Sequence, residues 1–382
     1  LDIAGIMDFL TREAHQRGYK SPVPQMDIFT EAFMREVRLW GRAYELGLMA
    51  ELKLRLLDIT SDLDLAVRMV AKNKLGYLPA LARPPRKVKP VPGANRAVAY
   101  YPGCSLHTSG SEFNTSARAV CETLGIDLIE PEGWVCCGSS AAHRSDPEAA
   151  LNLPLTNLSI IEQSGFSEVT MPCAACFSRH KFALREIRHD SYRRSEASKS
   201  IGYDYQDTVY VSTLSETIRK HASMEVIHKK VVNPLKDLRV VCYYGCLLTR
   251  PPEVTGAVHP ENPTDMDELM AALGAEVFDW SYKTVCCGAT HSLTRPDIVL
   301  DLSSSIIERA RESGAEAIVV ACPLCHLNLD ARQFQMNLSA PLPVMYFTQL
   351  MVLALGLPSK MAALNKNLVD PRPLLRNKGL AV

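Results

Sequence analysis

Ala97-Val98-Ala99-Tyr100-Tyr101-Pro102-Gly103-Cys104 reads as a short apolar strand that runs straight into a cysteine. The same reading returns at Val240-Val241-Cys242-Tyr243-Tyr244-Gly245-Cys246, and again at Ala317-Ile318-Val319-Val320-Ala321-Cys322. Helix-like stretches separate these runs, and strands alternating with helices predict an α/β fold. In such folds the loops at the carboxyl ends of the strands hold ligands, and the cysteines sit there.

Outward from that strand, the cysteines form a repeat. Cys104, Cys136-Cys137-Gly138 and Cys173-Ala174-Ala175-Cys176 are followed by Cys246, Cys286-Cys287-Gly288 and Cys322-Pro323-Leu324-Cys325. Matching positions are offset by 142, 150 and 149 residues, and Tyr101-Pro102-Gly103-Cys104 matches Tyr243-Tyr244-Gly245-Cys246. A near-constant displacement means two copies of one domain, expected to be related by a pseudo-two-fold axis.

Each copy offers five thiols. A structural zinc site takes four tetrahedral ligands, often from two Cys-x-x-Cys knuckles, whereas each copy here has one knuckle and a thiol to spare. A vicinal pair is awkward for a disulfide. The compact spacing of a ferredoxin cubane is absent. A cluster of several irons spread over a larger volume suits five thiolates, since adjacent cysteines diverge and can serve different irons. The glycine after each pair permits a tight turn and close backbone approach. Zinc and a redox dithiol stay open beside this reading.

The duplicated pattern resembles the CCG domains of heterodisulfide reductase, in the subunit that holds two copies of them, over roughly residues 95 to 360. Tyr244-Gly245-Cys246, Cys322-Pro323-Leu324-Cys325-His326-Leu327-Asn328-Leu329 and Tyr346-Phe347-Thr348-Gln349-Leu350 support it. The resemblance implies two noncubane [4Fe-4S] clusters. One would be held by Cys104, Cys136, Cys137, Cys173 and Cys176, the other by Cys246, Cys286, Cys287, Cys322 and Cys325. It implies cleavage of a small-molecule disulfide between the clusters. The partners it implies are a flavin subunit resembling that of heterodisulfide reductase, with FAD, and a ferredoxin-type domain or subunit with cubane [4Fe-4S] clusters. The alternative is a non-catalytic electron-transfer subunit of a larger oxidoreductase or electron-bifurcating complex. A fumarate-linked thiol oxidation module is a third reading.

Residues 1–82 contain no cysteine, and Phe29, Phe33, Val37 and Trp40 share one helical face, as expected of a small all-α segment. The runs Met49 to Leu57 and Leu63 to Met69 fit the same pattern. Asp2-Ile3-Ala4-Gly5-Ile6-Met7 and Gly41-Arg42-Ala43-Tyr44-Glu45-Leu46-Gly47-Leu48 are similar to a part of heterodisulfide reductase's ferredoxin-type subunit, the part that follows its clusters. A fusion of the ferredoxin-type subunit to the CCG subunit is implied, in which the ferredoxin part would relay electrons to the first CCG unit. Residues 83–94, rich in Pro, Lys and Arg, read as an extended linker. The first CCG domain is placed at 95–235; the second, with a C-terminal helix, at 236–382.

His143, His291 and His326 follow the cysteine motifs and are candidate proton donors, since histidine titrates near neutrality. Arg144, Arg179 and Lys283 are candidates to hold an anionic substrate. Cys121 and Cys242 fall outside the repeated sets and read as core thiols.

Of the 382 residues 47% are apolar and 22% charged, with 42 basic against 42 acidic side chains. That balance gives no reason to expect nucleic acid. The apolar run from Val344 to Leu357, broken by Thr348 and Gln349, is too short to cross a bilayer and reads as a packed helix. With no secretory leader recognised, the cytoplasm is the expected compartment.

Overall fold

The computed structural model describes residues 3–19, 21–58 and 60–382. Asp2, part of the stretch similar to the ferredoxin-type subunit, lies outside them. Four helices come first: α1 (Ile3–Gln16), α2 (Pro24–Trp40), α3 (Glu45–Leu56) and α4 (Leu63–Ala71). Proline at the first turn of α2 sets its start, and Gly41 in the left-handed conformation ends it. Phe33 and Val37 are buried on the stripe that the periodicity picked out. Among the described residues no helix is long and apolar enough to cross a membrane.

Two four-stranded sheets follow. The first joins β1 (Val98–Tyr100), β2 (Leu128–Ile129), β3 (Glu168–Met171) and β4 (Tyr210–Thr213) in the order β2-β1-β3-β4. The second joins β5 (Arg239–Tyr243), β6 (Glu276–Val277), β7 (Ala317–Val320) and β8 (Val344–Tyr346) in the order β6-β5-β7-β8. Every pairing is parallel. The repeat seen in the cysteines is therefore a repeat of topology: tandem α/β domains after a small helical segment.

Alternation along β1 divides its side chains between two cores. Ala99 and Tyr101 pack with Leu151, Leu155 and Leu158 of their own domain. Val98 and Tyr100 join a core that continues through Val240, Val241, Ile318 and Val319 of the second domain. Across this common core the helix Phe347–Ala354 lies on the helix Ser111–Thr123: Tyr346 stacks on Phe113 at 4.2 Å, and the Ser116 and Thr348 hydroxyls meet at 2.6 Å. The apolar run from Val344 thus begins as a strand, not a helix. Tyr346 then caps the helix, its N–H donating to Gln349 at 3.0 Å.

The segment between the helices and the first sheet ends in a short 3-10 turn (Ala94–Arg96), and its Val91 donates to the Ser164 carbonyl at 2.9 Å. Cys121, whose thiol burial pushes up to about 12, and Cys242 are buried in the common core.

Candidate metal centre

All ten repeated cysteines stand just past the carboxyl ends of β1, β2, β3, β5, β6 and β7. Parallel strands bring those ends to one edge of each sheet, so residues far apart in sequence meet there. Cys137 Sγ lies 3.7 Å from Cys176 Sγ, and Cys287 Sγ 3.6 Å from Cys325 Sγ, as the duplication requires. Cys246 Sγ is 3.8 Å from Cys286 Sγ. The Cys173 and Cys322 thiols, equivalent positions in the two copies, are within hydrogen-bonding reach of each other. The two sets therefore touch at a point where a residue faces its own counterpart.

The backbone is shaped to these sulfurs. Gly103 and Gly245 hold φ of +70° and +69°, and a Cβ on either would fall 2.7 Å from Cys176 Sγ or 3.0 Å from Cys325 Sγ. Only glycine fits such a cradle. After each vicinal pair Gly138 and Gly288 turn at φ +82° and +77°, the tight turn expected there. That turn aims the Gly288 amide at Cys286 Sγ, 3.3 Å away. Cys286 is drawn down to about 6 by the adjoining Cys246 thiol and then by the Gly288 and Ala289 amides, against burial. Amides directed at thiolates are the environment of an anionic, metal-binding sulfur.

These features fit a polynuclear iron–sulfur group. Five thiols at one sheet edge in each copy, with a glycine fitted against one of the sulfurs, match a multi-iron core. Each copy has one Cys-x-x-Cys knuckle and a fifth thiol, unlike a tetrahedral zinc site built from two knuckles.

The two sets differ in cover. The helical segment covers part of the first: Cys136 donates its N–H to Gly41 O at 2.8 Å and packs with Phe33, Val37 and Leu48. The Arg42 guanidinium sits 3.6 Å above the Trp134 ring. In the second set Cys286, the counterpart of Cys136, is exposed. Over the first set lies a cavity of about 270 Å³ lined by all five of its thiols, by apolar side chains of α2–α4, and by Leu247, Leu324 and Asn328 of the second domain.

None of the three candidate histidines lines this cavity. His326 is buried, bonded to the Val344 carbonyl at 3.1 Å and stacked on Tyr346; burial holds it well below its ordinary pKa. His291 is half-buried and held low by burial and by Arg295 and Arg144. The His143 ring lies 5.7 Å from Phe182. Of the candidate cations only Arg179 reaches the cavity. Arg144 is bound to Asp27 of α2 at 3.2 Å. Lys283 is buried between Asp267 and Asp279, each at 3.0 Å. Both are paired with carboxylates within the fold.

Other residues that hold the site carry no such mark in the sequence. Tyr101 and its counterpart Tyr243 donate their phenols to Val135 O at 2.7 Å and Val285 O at 2.6 Å, tying each strand to the loop before its cysteine pair. Asn328 donates to Cys287 O at 3.1 Å. His180 bonds the Cys176 carbonyl at 2.7 Å. The matched tyrosines are visible in the repeat; the partners of Asn328 and His180 are tertiary.

The cysteine-rich domain model termed CCG matches residues 98–179 and 240–330. The chain is 34% identical over 281 residues, 72% of its length and 98% of the relative's, to the 8-methylmenaquinol:fumarate reductase membrane anchor subunit of Wolinella succinogenes. It is 27% identical over 278 residues, 70% of its length and 92% of the relative's, to one subunit of the ferredoxin/F(420)H(2)-dependent CoB-CoM heterodisulfide reductase of Methanosarcina acetivorans. A hypothetical protein from Helicobacter pylori shares the fold with a TM-score of 0.60 at 10% identity, covering 85% of this chain and 60% of that one.

Proposed function

Since the chain belongs to the family of duplicated CCG-domain proteins that includes a heterodisulfide reductase subunit, we propose that it is the member of such a complex in which a disulfide is reduced between two noncubane [4Fe-4S] clusters. Coarsely, it is an iron–sulfur CCG-domain subunit of an oxidoreductase family, related also to a fumarate reductase anchor. The observation that supports the finer reading is the meeting of the two five-thiol sets at Cys173 and Cys322. Bound there, the clusters would supply electrons and a Lewis-acidic anchor for each sulfur of the substrate. Cys104, Cys136, Cys137, Cys173 and Cys176 would hold one; Cys246, Cys286, Cys287, Cys322 and Cys325 the other. The helical segment forms one wall of the cavity where substrate would lie, and Arg179 and Asn328 border it.

Electrons would come from a flavin subunit with FAD through a ferredoxin-type domain or subunit with cubane [4Fe-4S] clusters, with the assembly in the cytoplasm. The exposed Cys286 face is open to such a donor. A second reading rests on the cavity's apolar lining and on the relative named for 8-methylmenaquinol: the cavity would accept a quinol, and the chain would pass its electrons on.

Anaerobic reconstitution tests both. About eight irons per chain with a noncubane Mössbauer signature is the expected content. Single-turnover assay of the reduced protein against mixed disulfides should release two thiols. Thiol release undetectable while a menaquinol analogue is oxidised would shift the assignment to the second reading. One zinc per domain would overturn both.

A further inference from the structure

Two carboxylates line the cavity over the first thiol set, and their surroundings differ. Asp62 is engaged by Arg332 at 3.1 Å and by Gln335 at 2.8 Å, which keeps it ionised. Glu45, at the first turn of α3, accepts a hydrogen bond from the Ser109 hydroxyl at 2.8 Å through Oε1. Its Oε2 is buried and makes no hydrogen bond. Behind it Lys74 is committed elsewhere, to the Glu112 carboxylate and to the Ser109 carbonyl at 2.9 Å. Among the described residues the cations that border the cavity are Arg179, whose guanidinium lies 5.0 Å over the Phe182 ring, and Arg332, which is bound to Asp62. An unpaired buried carboxylate oxygen is costly, whereas a protonated one is not.

We propose that Glu45 is the proton donor and acceptor for the substrate bound in this cavity, so that the helical segment supplies a catalytic group and not only a cover. The assignment rests on the reading that a two-electron substrate is converted here. Reduction of R–S–S–R′ consumes two electrons and two protons and yields R–SH and R′–SH. The S–S bond breaks with electrons delivered by the low-potential iron–sulfur or flavin donor. The Glu45 carboxyl gives its proton to a departing thiolate, is reprotonated from solvent, and serves the second. With a quinol the direction reverses: both O–H bonds break, the two electrons would leave through the iron–sulfur groups to the electron acceptor of the complex, and the Glu45 carboxylate takes each proton in turn and releases it through the cavity. Burial raises Glu45 to about 7, with Ser109, Thr108 and Lys74 pulling the other way, and a proton exchanger is most effective with a pKa near the working pH.

The test uses the full chain, reconstituted anaerobically, as wild type, Glu45→Gln, Glu45→Asp and Ser109→Ala. Turnover of a mixed disulfide with reduced viologen and of a soluble menaquinol analogue is followed against pH, beside iron content and infrared titration of carboxyl groups. Glu45→Gln should keep its iron, lose a carboxyl signal that titrates near neutrality, and lose about 10²-fold or more in turnover. Glu45→Asp should recover part of the rate. Ser109→Ala removes a bond that favours the carboxylate and should move the pH profile upward, which a packing role would not do. Iron-loaded Glu45→Gln with the wild-type rate and pH profile overturns the proposal. A loaded wild type that turns over neither substrate overturns the functional reading itself, and this assignment with it.

Discussion

At the scale of single residues the site is set by groups that tolerate no addition. Gly103 and Gly245 need positive φ and leave no room for a methyl beside Cys176 or Cys325. Gly103→Ala is expected to strain the turn by about 1 kcal/mol and to displace the Cys176 sulfur. The folded protein should reconstitute with about half of its iron, read by iron and sulfide analysis beside far-UV circular dichroism. Lys74 is a different case: both it and Glu112 are fully buried and paired with each other. Lys74→Met alone should cost about 3–5 kcal/mol in urea denaturation, while the double change with Glu112→Leu should recover much of that loss. The cysteines and the repeated glycines are legible in the sequence, because their spacing is itself the signal. Glu45 and Lys74 are not. Their roles come from burial, and burial depends on segments that meet only in three dimensions.

At the scale of elements, α2 and α3 are locked by a carboxyl under stress. Glu36 of α2 accepts the Tyr44 N–H at 2.9 Å where the chain turns toward α3. Burial raises it to about 7, opposed by that hydrogen bond and by Arg35; Asp330 is likewise raised to about 7, chiefly by burial. An acid whose pKa is higher folded than unfolded holds its proton better in the fold. Its contribution is therefore fully present at low pH and is lost as pH rises from about 4.5 to about 7. Denaturant midpoints should fall between about pH 5 and about pH 8, and Glu36→Gln should flatten that slope; an unchanged slope would remove Glu36 as a contributor. The helical runs and the strands ahead of Cys104, Cys246 and Cys322 are readable because apolar periodicity is local. The stretch from Val344 reads as helix throughout, and there the structure differs. Its first three residues pair with β7, and edge pairing of a short strand leaves no mark on composition.

At the scale of the molecule, the two cysteine domains share one core. Val98 and Tyr100 of the first sheet belong to the same cluster as Val240 and Val319 of the second, and the Phe113–Tyr346 stack bridges them. Unfolding followed by tryptophan fluorescence and by circular dichroism should give one coincident transition. Two separated transitions would falsify the shared core. A fragment ending at residue 235 should expose apolar surface and bind a hydrophobic dye.

The contact between Cys173 and Cys322 also has an ancestral meaning. A residue that meets its own copy lies on a symmetry axis, so an unfused ancestor of this domain would have paired with itself there as a homodimer. In such a dimer each substitution is made twice, and neither half can acquire a feature the other lacks. Joining the halves in one chain lifted that constraint. Ala174-Ala175 could drift from Pro323-Leu324, and a helical lid could close on one sulfur set while its twin stayed at the surface.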